Sequence, residues 1–332
     1  MIFFYSPQKD TFLRKLADID STGGGALWLG EHHNALRDHN LQAKFIRSIY
    51  DERQKSGITA PVAIGLEQVQ LQFQPALDDY IAGKISADEM KGKVDWEKRW
   101  FWPFEVYEPI FETARELKLP LIALNVNSED LAEVERAGLP GLPRTRMQQY
   151  IKDPQGFADF ARPQEYRDYV QYVIAPSYDL HQQMGLLRRT ISGQMLDEDM
   201  SFRNFFSGRI LWDESMASSA HSWVQSNPGG LMIGLVGADH VKFRNGVPGR
   251  FARMGGGSMS CTSVMLNPTL IDTRPSGSVA NIKGSDSSLN PDGITLQLRY
   301  FNEGVDLQSP EARISPESTG GVMPLADYIV VG

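Results

Sequence analysis

The sequence predicts an α/β domain with a mostly parallel sheet flanked by helices. Short apolar runs recur at "ALWLG" (26–30), "VAIGLE" (62–67), "LPLIALNV" (119–126) and "GLMIGLVGADH" (230–240). The first two end at a glycine or a carboxylate and lead into helical patterns, as buried parallel strands do. The last two follow helical patterns. Alternation of strand and helix is the signature of this class, and its sites form at the carboxyl ends of the strands.

Taken in order, a first strand near 26–30 precedes a helix from about Leu36 to Arg53, with Leu41, Phe45, Ile46 and Ile49 on its apolar face. A second strand over 62–67 and a helix over "PFEVYEPIFETARELK" lead to a third strand near 120–125. Residues 127–210 then form a long, largely helical insertion, broken at two Gly-Leu-Pro steps, and a helical cap over the sheet edge is its natural use. A helix from about Asp213 to Gln225 precedes the fourth strand, 231–236. After Gly255 the chain turns to Gly/Ser/Pro-rich loops that separate short β-like runs at "SVMLNP", "ITLQLRYF" and "ADYIVVG". The expected organisation is an α/β domain over 1–254, including the insertion, with a C-terminal β-rich appendage over 255–332 packed on the core.

Composition excludes several function classes. The 332 residues, 41% of them hydrophobic, suffice for a sizeable core. A net charge of −8 with no Lys/Arg-rich stripe argues against nucleic acid as a partner. No apolar run approaches the length of a membrane-spanning helix. The opening "MIFFYSPQKD" lacks the basic start and long apolar core of a signal peptide. Cys261 is the only cysteine, so an intrachain disulfide, Cys-rich zinc sites and iron–sulfur ligation are excluded, and a buried structural thiol is expected.

Two phrases carry the candidate chemistry. Gly30-Glu31-His32-His33 and Gly237-Ala238-Asp239-His240 both read Gly-x-x-His, and both follow an apolar strand. Glycine lets the chain turn sharply as it leaves a strand, and the histidine then projects over the edge. Glu67 ends the second strand and supplies a carboxylate there. Histidine suits metal ligation and proton transfer near neutral pH, and a neighbouring carboxylate can orient it, bind a cation or act as base. Placement alone suits the two histidines and Glu67 to a site about as well as to plain structure. One such phrase alone would equally suit a histidine bonding a loop.

The chain also resembles the ChaN-like haem-binding uptake family, in the wider superfamily that holds the Tiki and TraB proteins and erythromycin esterase. The matching phrases are "LGEHHNALRDHNLQ", "IGLEQVQLQFQPALDDYIAGKIS", "WPFEVYEPIFETARELKLPLIALNV", "AGLPGL", "LWDESMA" and "LVGADHVKFRNGVPGR", in family order over roughly residues 26–253. The resemblance implies an α/β core with a helical cap, a pocket for haem or a related tetrapyrrole, and a role in haem handling or iron acquisition. In hydrolytic relatives the paired Gly-x-x-His motifs and a Glu form a metal-dependent site, which makes a metal-dependent hydrolase the alternative. By carry-over the resemblance implies Glu31, His33, Glu67 and His240 as the catalytic positions, with His33, His240 and Glu67 as ligands if a divalent metal ion is bound. The β-rich tail lies outside the resemblance, and no lipidation cysteine stands near the start of the chain. Homodimerisation is left open, and so is the compartment: a soluble protein of a plastid or a bacterial envelope, with any presequence removed.

A haem pocket needs an axial Tyr, His, Cys or Met and apolar walls. Candidates for contact with the cofactor are His32 and His39 beside the first phrase, Tyr178 and His181 in "SYDLHQQMG", and Tyr107 in the aromatic stretch "DWEKRWFWPFEVYEP". Met184 lies one helical turn from His181. Arg250, with Arg244, could pair with propionates. Each has a plainer role: an amphipathic helix for His181, a packed ring with a bonded hydroxyl for Tyr107, a solvated surface for the arginines. His221 is expected to be exposed or structural, and the acids Asp213 and Glu214 fit a helix N-terminus as well as a site.

Overall fold

The computed structural model describes residues 2–4, 16, 23–269, 272, 297–301 and 320–332. The strands are β1 (Ile2–Phe4), β2 (Gly25–Glu31), β3 (Val62–Gln70), β4 (Leu121–Asn125), β5 (Leu231–Gly237), β6 (Ser260–Leu266), β7 (Gln297–Phe301), β8 (Gly320–Pro324) and β9 (Tyr328–Val331), and the apolar runs of β2, β3 and β5 are buried on both faces along their whole length. Seven of these form one sheet in the order β1-β9-β6-β2-β5-β3-β4. Every pairing in it is parallel. The strands that carry the two Gly-x-x-His phrases, β2 and β5, are adjacent, with Gly30 opposite Val236 and Glu31 opposite Gly237.

The helices used below are α1 (Leu36–Lys55), α2 (Gln74–Ile81), α3 (Glu108–Leu117), α4 (Ser128–Ala137), α5 (Ala175–Gln183), α6 (Phe202–Ser226) and α7 (Val247–Gly255). They cover both faces of the sheet. Leu27, Leu29, Ile64, Leu66, Ile233 and Leu235 pack with Phe45, Ile46 and Ile49 of α1 and Ile110 and Phe111 of α3. Ala26, Trp28, Ala63, Met232 and Val236 pack with Met216, Ala217 and Ala220 of α6 and Val247 and Phe251 of α7. Strand side chains alternate between faces, so Glu31 falls on the α1 side and Glu67 on the α6 side.

The helix expected to begin at Asp213 begins at Phe202, capped by Ser201, whose hydroxyl accepts from the Asn204 amide at 3.3 Å. Its first turns bury Ser207 and Gly208, and a Cβ at Gly208 would lie 3.4 Å from Leu131 of α4. Helices packed through such small residues show no apolar period, so the sequence pattern starts too late.

The C-terminal segment is β-rich as expected, and β6 and β9 are strands of the main sheet. β6 pairs along β2, and β9 bridges β6 to β1. Among the described residues, β7 and β8 stand apart from this sheet as an antiparallel pair. The loops expected over 274–293 and 309–319 lie outside the described residues. Cys261 is half-buried, and burial pushes its thiol up to about 12, consistent with an inert structural thiol. Among the described residues no helix is long and apolar enough to cross a membrane.

Candidate functional site

The two Gly-x-x-His phrases fit into each other. A Cβ at Gly30 would lie 2.4 Å from Val241 Cγ2, the residue after His240. A Cβ at Gly237 would lie 2.6 Å from His33 Nε2 and 3.6 Å from Glu67 Oε2. Each glycine thus makes room for the other phrase's histidine segment, and His33 and Glu67 meet over Gly237. The chain after His240 is strained: Phe243 and Arg244 have φ of 55° and 58°. The tail holds this turn in place, with the Phe243 amide donating to the Leu325 carbonyl at 2.9 Å and Arg244 paired with Asp327.

On the α1 side, Glu31 is the hub. Its Oε1 accepts from His33 Nδ1 at 3.0 Å, Gln68 Nε2 at 3.1 Å and the Tyr107 hydroxyl at 3.1 Å. Its Oε2 stands 3.3 Å from His39 Nδ1, a charge pair rather than an aligned hydrogen bond. His39 Nε2 faces the His33 carbonyl at 3.1 Å, and Nδ1 also faces Gln42 Oε1 at 3.2 Å. Gln42 is oriented by donation of its amide to the Leu29 carbonyl at 3.2 Å. Only acceptors surround the ring, so His39 carries both protons. Burial opposes that charge, but Glu31 outweighs burial and the His39 pKa is raised. Burial would likewise raise the Glu31 carboxyl. The His39 charge and the bond from His33 overcome it and hold Glu31 well below the usual carboxylate range.

His33 is the member of this group that reaches the surface. Glu31 fixes Nδ1 as its protonated nitrogen, which leaves the Nε2 lone pair free, and no described residue hydrogen-bonds it. Its ring packs against a pair of touching indoles, 5.0 Å from Trp100 and 4.3 Å from Trp102 between centroids, the two indoles being 5.2 Å apart. Phe101, 89% exposed, extends this aromatic wall outward against Trp102.

On the α6 side, His240 is clamped between two acids. Its Nε2 is 3.0 Å from Glu67 Oε1, and its Nδ1 is bonded to Asp213. Glu67 Oε2 accepts from the Gly237 amide at 2.5 Å. Burial and Arg209 push the imidazole pKa down, yet Glu67 and Asp213 prevail and raise it to about 9. His240 is therefore an imidazolium at neutral pH. Asp213 is a member of the site that sequence reasoning set beside the ordinary acids of a helix start. Arg209, four residues before it on α6, was missed altogether, because a lone arginine in "FSGRILW" carries no pattern.

Several candidates are committed elsewhere. His32 points away from His33, with Nδ1 2.7 Å from Asp38 and Nε2 2.8 Å from Asp272. Bonds to Asp272 and Asp38 raise its pKa to about 10, so it is a cationic tie with no lone pair for iron. Tyr107 is fully buried, its hydroxyl accepting from Trp100 Nε1 at 3.1 Å, and burial with the Glu31 charge keeps the phenol protonated, so it is no oxyanion ligand. Tyr178 donates to the Met200 carbonyl at 2.9 Å, and His181 bonds the Ser177 carbonyl and packs on Phe205. Neither touches the strand edge, and Met184 is exposed. Arg250 is fully buried and bonded to Glu214 at 2.9 Å and the Tyr166 hydroxyl at 3.0 Å, so it cannot turn to a propionate. Arg244 is spent on Asp327, and His221 faces Phe251.

The expected metal set also looks different in space. Glu67 Oε1 and His240 Nε2 are bonded to each other, with a proton where an ion would have to be. Among the described residues no group of three or more His, Cys, Asp or Glu side chains could hold a metal ion.

Comparison with known proteins adds the family. Residues 22–251 match the family described as haem-binding uptake, Tiki superfamily, ChaN. The chain belongs to the ChaN family. Among solved structures, ChaN of Campylobacter jejuni, determined with cofacially bound haem, aligns with a TM-score of 0.51 at 14% identity, covering 80% of this chain and 89% of that one. An erythromycin esterase, EreC, in its open conformation aligns with a TM-score of 0.38 at 13% identity, covering 79% and 73% of the two chains. No curated protein compared with this ChaN-family chain matches it.

Proposed function

We propose that this chain binds haem or a closely related tetrapyrrole at the carboxyl edge of its sheet, as part of haem or iron handling. The observation that carries the reading is His33: an imidazole with Nδ1 held by Glu31, Nε2 without a partner among the described residues, and a wall of two indoles against its ring. A carboxylate on the far nitrogen is the usual support of a metal-ligating histidine, fixing its tautomer and raising its basicity. Trp100, Trp102 and the exposed Phe101 supply the apolar wall that a porphyrin face requires. His33 Nε2 is the atom that would ligate the iron, and Glu31 with His39 would hold the ring in place. The iron, when bound, would supply Lewis-acid or redox chemistry.

The hydrolase alternative finds support in the Asp213–His240–Glu67 array at the same edge. That array contains no metal-binding group, and His240, held charged to about 9, is available as an acid rather than a base at neutral pH. Haemin titration followed in the Soret region tests the haem reading. Saturable binding far tighter than to an unrelated acidic protein is expected, and binding no tighter than that would overturn it.

A further inference from the structure

One oxygen of Glu31 meets more donors than it can serve equally. Oε1 faces His33 Nδ1 at 3.0 Å, Gln68 Nε2 at 3.1 Å and the Tyr107 hydroxyl at 3.1 Å. A carboxylate oxygen offers about two lone-pair directions, so the three donors compete for them. Oε2 relieves none of this. It has no aligned hydrogen bond and faces the His39 ring at 3.3 Å.

Two of the three donors are neutral and sit behind the histidine. Gln68 is buried and its Oε1 has no partner, so its amide is held by the bond to Glu31. The Tyr107 proton faces both Glu31 Oε1 at 3.1 Å and the His33 carbonyl at 3.2 Å. An ionised acceptor makes the stronger bond. Trp100 Nε1 donates to the Tyr107 oxygen at 3.1 Å, and a hydroxyl that accepts one bond donates the next more strongly.

We propose that Tyr107 and Gln68 set the electron-donating strength of His33 Nε2 toward iron, by sharing the Glu31 oxygen that holds His33 Nδ1. The effect on iron rests on the haem reading, whereas the sharing does not. A carboxylate raises the basicity of a ligating histidine by drawing on its far N–H, and at the limit it makes the ring an imidazolate. Each further donor to the same oxygen takes up part of its charge, so the pull on His33 Nδ1 falls. A less electron-rich Nε2 favours ferric over ferrous iron less strongly. Gln68 belongs to β3 and Tyr107 stands just before α3, so each donor can be removed without the other. Both are positioning residues that act through Glu31.

The test removes one donor at a time and reads the iron. With haemin bound, Tyr107→Phe should raise the ratio of ferric to ferrous affinity on the order of 10-fold, the low end for a hydrogen-bond partner behind a metal ligand. For a one-electron couple that is a midpoint potential lower by about 59 mV. Gln68→Met should shift it the same way, and the iron–histidine stretch of the ferrous form should rise in both. A packing role alone would change the melting temperature and leave potential and stretch in place. That result, or a higher potential, would overturn the proposal. In the unaltered protein the stretch should fall in the neutral-imidazole range despite the Glu31 contact, and an imidazolate value overturns the proposal whether or not the variants fold. Should haemin not bind, the haem reading fails, and the free protein decides the sharing. The His33 Nδ1–H proton resonance of the nitrogen-15-labelled chain should move downfield in Tyr107→Phe and in Gln68→Met. No movement in either variant would dismiss it.

Discussion

His240 Nε2 lies 3.0 Å from Glu67 Oε1, although the two residues belong to different strand ends, those of β5 and β3. The contact exists because β5 lies between β2 and β3 in one parallel sheet. It brings the second Gly-x-x-His phrase and the strand-end glutamate into one cleft, with His33 of the first phrase packed over Gly237.

Two glycines of β5 should separate ligand binding from folding. A Cβ at Gly237 would strike His33, whereas a Cβ at Gly234 would come within 2.3 Å of the buried Trp28 ring. Gly237→Ala is expected to weaken haemin binding by roughly 10–100-fold, the usual range for disturbing the support of a metal ligand, with little change in melting temperature. Gly234→Ala is expected to cost about 1–3 kcal/mol of stability, as overpacking does. Chemical denaturation and haemin titration of both variants check this. Equal effects on both readouts would contradict it.

Stability should fall on the alkaline side earlier than in most acidic proteins. The folded-state pKa of His32 is raised to about 10 by Asp272 and Asp38, and that of His240 to about 9. A raised histidine contributes stability in full below its unfolded value of about 6.5 and loses it as pH climbs to the folded value. The depressed carboxyls Glu67 and Asp213 act in reverse, stabilising above an unfolded pKa of about 4 and losing that as pH falls further. Melting temperature should therefore decline steadily from pH 6.5 to 10. His32→Gln should flatten that limb, and an unchanged slope in the variant would argue against the His32 tie.

The tail should be indispensable to the core. A chain ending at residue 258 loses β6 and β9, which exposes β2 as a long apolar edge, a state that invites aggregation. It also loses Leu325 and Asp327, which hold the strained turn after His240. The truncated chain is expected to aggregate or to bind ANS in gel-filtration and fluorescence assays. A monomer with a cooperative melt like that of the full chain would refute this.

The sequence made the strand positions legible because parallel strands buried on both faces read as continuous apolar runs. It made the two histidine phrases legible because they repeat. The role of the tail was hidden, since a run such as "SVMLNP" says nothing about which sheet it joins. The sorting of the histidines was hidden too. His32, His33 and His39 stand close in sequence, but only space shows that His32 meets Asp272 and His39 meets Glu31, so that His33 alone keeps a free nitrogen. Arg209 was invisible because no local pattern marks an arginine that the helix sets beside the buried Asp213.

The most direct test of the account is ligand replacement at His33. His33→Gly leaves a space shaped for imidazole beside Glu31, and Gly237 keeps the approach open. Haemin bound to this variant should show a shifted Soret band, and millimolar imidazole should return the spectrum to that of the unaltered protein. A Soret band that is the same in His33→Gly and the unaltered chain, and that ignores imidazole, would show that His33 does not ligate the iron.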